Sequence, residues 1–211
     1  MLHHTARRAV PARLLGLCVA VAAACAVAAC SNPFAVKATV NTIDDTVAVY
    51  GLSEAPTNGP TAINTFIPKV VRVDPSQNYD IVFDIRADSS GQPTAYALPP
   101  RAVGFFGGGG IQKDTTRTFA QITQAPVTGY NDSTALPIRA GDVLLVQSLS
   151  YACTSQIISA RQFIYSKIVI DSVHYTPFDP VTTPNGSTIY LRLRVDPNCG
   201  FISFADGLPT F

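Results

Sequence analysis

His174 closes the run Asp171-Ser172-Val173-His174 and is the only histidine beyond residue 4. A serine hydrolase needs a nucleophile, a base and a group that orients the base. On a strand, Ser172 and His174 share one side and Asp171 takes the other. No G-x-S-x-G turn is present to raise a serine from its backbone. The expected role is therefore a surface histidine near a strand end, and a hydrolase using His174 is the alternative.

The carboxylates are next. Glu54 is the sole glutamate, and it lies in the Pro- and Gly-rich stretch SEAPTNGPTA. A glycosidase needs two placed carboxyls. Asp80 and Asp84 fall four residues apart on one face of an alternating segment, about 13 Å at strand rise. With Arg86 on the same face, they read as a solvated, charge-balanced surface. Asp44, Asp45 and Asp88 are the acids that a calcium loop would draw on, but no D-x-D-x-D-G run occurs. No transition-metal set is visible either. No cofactor is expected.

Gly107 to Gly110 follow Phe105-Phe106. Four glycines suit a phosphate cradle only when Lys-Ser/Thr and a helix follow, which they do not. The expectation is a flexible hairpin tip. Phe105 and Phe106 at its head are a candidate contact with a partner or a bilayer.

The elements that must position these residues are strands. Tyr79 to Ala87 alternates strictly, with Tyr79, Ile81, Phe83 and Ile85 on one face, the mark of a half-buried antiparallel strand. Thr46–Leu52, Lys167–His174 and Thr188–Val195 alternate too, and Ile63–Phe66, Lys69–Val73 and Thr94–Leu98 are shorter candidates. Asp142 to Ser148 carries four aliphatic residues in a row and reads as buried on both faces. Val36–Val40, Arg117–Gln124 and Phe201–Phe204 are further strand candidates, and Tyr151–Tyr165 leans to strand. Asn41–Asp45, Ala125–Pro137 and Pro177–Gly186 read as turns or loops. Val, Ile, Thr, Tyr and Phe fill the runs, and helix-forming Glu is almost absent. About ten short strands with turn chemistry between them predict an all-β, antiparallel β-sandwich, Ig-like or jelly-roll-like.

The first residues are of another kind. Arg7, Arg8 and Arg13 precede the uncharged run LLGLCVAVAAACAVAA, Leu14 to Ala29. A basic start, a short apolar run and small residues form a secretory signal. Sixteen residues, seven of them alanine, fall short of the roughly 20 apolar residues that span a bilayer. The run ends Val27-Ala28-Ala29-Cys30, which resembles the lipobox of bacterial lipoproteins. The resemblance covers residues 1 to 30. It implies cleavage before Cys30, a diacylglyceryl group on its thiol, acylation of the new amino end, and attachment to a membrane. Ser31 after the cysteine implies outer-membrane sorting where the host has that pathway. Plain secretion is the alternative. The expected division is 1–29 signal peptide, 30–34 lipidated tether and 35–211 β-sandwich domain, with 125–137 the one candidate boundary inside it.

Without the leader, 12 basic residues face 14 acidic ones, a net charge near −2. The cations are scattered singly, so nucleic acid is not an expected partner. Two cysteines remain once Cys18, Cys25 and Cys30 are set aside, and in an oxidising compartment the count favours a disulfide between Cys153 and Cys199 over two separate thiols. The expectation is a lipid-anchored cell-envelope protein, a non-catalytic binding or structural module meeting an envelope protein or a glycan. A calcium- or glycan-binding module stays as an alternative beside the hydrolase.

Overall fold

The computed structural model describes residues 37–74, 78–105, 108–150, 153, 162–176, 179, 181–183 and 186–209. The signal peptide, Cys30, the tether, Phe106, Gly107 and most of Tyr151–Tyr165 lie outside them.

Ten strands are found among the described residues: β1 (Ile43–Tyr50), β2 (Ala62–Asn64), β3 (Lys69–Val71), β4 (Ile81–Ala87), β5 (Pro93–Leu98), β6 (Gly109–Asp114), β7 (Leu136–Ile138), β8 (Val143–Leu149), β9 (Phe163–His174) and β10 (Thr188–Asp196). They form two five-stranded antiparallel sheets, ordered β1-β10-β9-β8-β6 and β3-β2-β4-β5-β7. The sheets pack face to face as a β-sandwich, and neither closes into a barrel.

Alternation fixes the core. On β10, Ile189, Leu191, Leu193 and Val195 are all at most 1% exposed. They meet Ile81, Phe83 and Ile85 of β4 and Leu144 and Val146 of β8 in one cluster between the sheets. The side chains that point the other way from β8 are buried as well. Val143 and Leu145 pack with Tyr165 and Val169 under Ile122, Ala125 and Phe204. The run expected to be buried on both faces is so because residues 119–130 and 202–204 lie across the outside of this sheet.

That covering segment overturns one expectation. Arg117–Gln124 alternates but is not a strand; it folds as bends and turns, with one bridge from Gln124 to Ser203. The reason lies beneath it. Lys167 is 4% exposed in the middle of the outer apolar face. Its ammonium donates to the carbonyls of Phe119 at 2.6 Å and Ile122 at 2.8 Å, and lies 4.3 Å from the centre of the Phe119 ring. Two carbonyls three residues apart can converge on one cation only if the chain turns. Burial, with Arg194 nearby, pulls the Lys167 ammonium down to about 8. Phe201–Phe204 contributes the same single bridge at Ser203 and no strand.

Other corrections are local. Lys37–Val40 is not a strand, and β1 starts at Ile43, inside the expected Asn41–Asp45 turn. Gly109 and Gly110 are ladder residues of β6, opposite Ser148 and Gln147, and not a hairpin tip. Gly109 has φ 137°, and a Cβ there would overlap the Gln147 carbonyl oxygen, so only glycine permits this strand start. Leu136 and Pro137, expected in a loop, begin β7. The described residues from 38 onward form one compact unit.

Cys153 and Cys199 are joined by the disulfide that the cysteine count favoured, with Cα atoms 5.5 Å apart. It ties the segment after β8 to the turn after β10. One residue before it, Asn198 is 7% exposed and holds the entering chain. Its side-chain oxygen accepts from the Thr39 and Val40 amides at 2.8 and 3.1 Å. Its amide donates to the Val40 carbonyl at 2.7 Å and to Asp196 at 2.8 Å. Asp196 is fully buried, its second oxygen lacks a hydrogen-bond partner, and burial raises its pKa.

Candidate functional site

Asp80 and Asp84 do not form the solvated pair that their spacing suggested. Asp84 is 3% exposed. A short 3₁₀ turn, Leu52–Glu54, lies over β4. From it Ser53 donates its amide and hydroxyl to Asp84 at 2.8 and 3.0 Å. A Cβ on Gly51 would come within 2.7 Å of the Ile85 nitrogen, which is how closely the turn approaches the strand. Arg86 stands off at 4.0 Å. Asp84 therefore acts as a structural acceptor that fixes the turn.

Asp80 precedes β4 and meets the other sheet. Its Oδ2 accepts from the Thr65 amide at 2.7 Å and the Thr65 hydroxyl at 2.9 Å. The Thr65 hydroxyl is 2.8 Å from the Ser148 hydroxyl on β8. Thr65 and Ser148 are both buried. Burial raises the Asp80 carboxyl above the ordinary carboxylate range, against the pull of the Thr65 and Ser148 hydrogen bonds. Oδ2 thus accepts two hydrogen bonds from Thr65 in a place where burial disfavours its charge.

Asp80 lines a cavity of about 320 Å³ whose other walls include Phe66, Ile67, Tyr79, Phe105 and Leu149. The Phe105 ring stacks at a tilt on Tyr79, with centroids 5.1 Å apart. Phe105 is therefore half-buried, packed in a cluster with Tyr79 and Leu98 on the outer face of the second sheet, and is a wall of the cavity rather than the tip of a loop. Asn64, Asn78, Ser148 and Ser150 line it too, so it is a mixed polar and apolar cleft with one perturbed carboxyl, a form that small-molecule sites take.

The remaining expected residues lie elsewhere. His174 is exposed at the end of β9, its ring edge-on to Tyr190 at 5.2 Å. Asp171 is taken by a bidentate contact from Arg192, at 2.9 to 3.1 Å. Glu54 is not in a free loop; it ends the 3₁₀ turn and accepts from the Ser187 hydroxyl at 3.2 Å. Asp44 is paired with Arg194 at 2.5 and 2.6 Å, which lowers its pKa. Asp88 closes its own turn by accepting from Ser90 and Gln92. Among the described residues no three His, Cys, Asp or Glu side chains cluster.

A larger groove, about 580 Å³, crosses the outer face of the first sheet beside Lys113, Arg117, Arg139 and Arg192. Each of these cations already faces a carboxylate: Asp142, Asp114, Asp142 and Asp171 respectively. The groove is open and its charge is largely balanced, whereas the Asp80 cavity is smaller and holds a carboxyl whose charge burial disfavours. Chemistry favours the smaller space.

Sequence reasoning missed Thr65 and Ser148. Ser148 carried a signal, since it follows Leu144 and Val146 at the parity that faces the core. No protein-family model matches the chain, and no curated protein matches it.

Proposed function

We propose that this chain is a lipid-anchored protein of the bacterial cell envelope, sorted to the outer membrane, whose β-sandwich binds a ligand in the Asp80 cavity without transforming it. The anchor part rests on Val27-Ala28-Ala29-Cys30. The binding part rests on one observation: the Asp80 carboxyl, shared with Thr65 and Ser148, lines a cavity walled by Phe66, Tyr79, Phe105 and Leu149. Those walls suit a ligand with an apolar part, and Asp80 with Asn64, Asn78, Ser148 and Ser150 suits a hydrogen-bonding head. Aromatic walls next to one acid also suit a glycan or an apolar side chain of an envelope protein.

The test is purification of the processed protein from a bacterial host, followed by mass spectrometry of its N-terminal peptide and of small molecules extracted from it. A triacylated Cys30 and a co-purifying compound that Phe105→Ala loses would support the reading. An unmodified N-terminal residue 30 would move the protein to the secreted class. An empty cavity, with no compound raising the melting temperature in a screen of lipids, sugars and peptides, would end the binding assignment.

A further inference from the structure

In an antiparallel sheet each end collects strand starts and strand stops alternately. The registers Ile43 with Val195, Asp196 with Tyr165, Leu149 with Phe163 and Gly109 with Ser148 bring the starts of β1, β9 and β6 to the same end as the stops of β10 and β8. The chain enters the domain at this end, where Asn198 grips Thr39 and Val40. The Asp80 cavity is at the same end, because Gly108, Ser148 and Leu149 line it.

Four exposed apolar residues lie here: Val40 at 45%, Ile67 at 59%, Leu149 at 37% and Leu208 at 56%. Val40 and Leu208 flank the β1 edge, where the Thr42 amide donates to the Gly207 carbonyl. Ile67 and Leu149 line the cavity. The two pairs stand three strand spacings apart, about 14 Å. A single exposed apolar residue means little. Two pairs spread over the face from which the chain emerges form a footprint.

The length of the tether says what covers it. Thr39 is nine residues beyond Cys30, and an extended chain spans at most about 3.6 Å per residue, so roughly 30 Å in all. A lipid on Cys30 therefore holds this face beside the bilayer at high effective concentration, where weak apolar contacts suffice. We infer that this end of the sandwich docks on the lipid surface through Val40, Ile67, Leu149 and Leu208, with the Asp80 cavity on the membrane side. The inference rests on the reading of Cys30 as lipidated.

The chain contains no tryptophan, so single reporters are clean. Leu149→Trp and Ile67→Trp test the footprint. Val181→Trp is the control, 85% exposed in the β9–β10 connection at the opposite end. Each full-length variant is processed in a bacterial host, its N-terminal mass measured, and the protein reconstituted into phosphatidylethanolamine–phosphatidylglycerol vesicles carrying brominated acyl chains. Docking predicts blue-shifted emission and at least twofold quenching at positions 67 and 149, with neither at 181. Water-like, unquenched reporters at 67 and 149 on triacylated protein overturn the docking and leave the anchor standing. A change seen only after adding envelope protein overturns it also, since the occupant is then a protein. A mass without lipid overturns the anchor reading and the docking together.

Discussion

At one end of the sandwich Asp80 is bonded to buried Thr65 and Thr65 to Ser148, and separately Asn198 is bonded to buried Asp196 beside the Cys153–Cys199 bridge. At the other, His174, Tyr175, Val181 and Tyr190 stand in solvent. Both ends close the same ten strands, so the fold alone does not demand the difference. Buried polar groups are costly unless each finds a partner, and here they are concentrated where separate chain segments must be joined. The other end has a smaller tie, buried Ser187 bonded to Thr176 and Glu54, so the contrast is one of degree, and the first is the built end.

Removing the bridge should break that contrast most. Cys153→Ser with Cys199→Ser opens a loop of 46 residues, and chain entropy gives a loss of about 4 kcal/mol. Chemical denaturation of oxidised wild type against the double variant measures it. A loss below about 1 kcal/mol would mean that the built end does not depend on its covalent tie.

Asn198→Ala should come next. It frees the Thr39 and Val40 backbone and takes a donor from the buried Asp196, at a cost of about 2 kcal/mol. Hydrogen exchange should show amides 39 and 40 losing protection while those of β9 near His174 keep theirs. Equal loss at both ends would dissolve the distinction between them.

Asp80→Asn has the opposite sign. The folded pKa of Asp80 is raised above its unfolded value. Its favourable contribution is therefore complete below the unfolded value of 3.8 and is lost as pH rises through the raised folded value. An amide keeps an oxygen for Thr65 and never ionises. The variant should melt a few degrees above wild type at pH 7, with the gap closing toward pH 3. A gap that does not depend on pH would show that the Asp80 carboxyl is not strained.

His174→Ala should matter least, within about 0.5 kcal/mol, as for an exposed side chain away from special features. A larger change would show that the edge-on contact of His174 with Tyr190 carries weight.

Much of the sandwich was legible because alternation is a two-sided record of burial. Thr188–Val195 and Tyr79–Ala87 announced their inward faces, and the aliphatic run in Val143–Val146 announced two. The failures share a cause. Gly109 and Gly110 have no side chains to alternate, so β6 left no pattern. Arg117–Gln124 had the pattern, but the demand of Lys167 for two carbonyls, made 45 and 48 residues away, bent it into turns. The outward face of β4 looked solvated because nothing local says that Ser53 will cover Asp84. The candidate site was least legible, since Asp80, Thr65 and Ser148 meet only across sequence separations of 15 and 83. Phe105 was singled out for exposure and matters instead as a wall.

The grip of Asn198 on Thr39 and Val40 has a mechanical meaning. Any pull on the chain before Thr39 would enter the domain at this clamp, and β1 follows directly, paired along its whole length with β10 from Ile43–Val195 to Tyr50–Thr188. Force along the axis of β1 loads those backbone bonds together, in shear, instead of opening them one by one like a zip. A domain held at its far end would thus resist being pulled apart as a rivet does, and would yield at the clamp before the sheet.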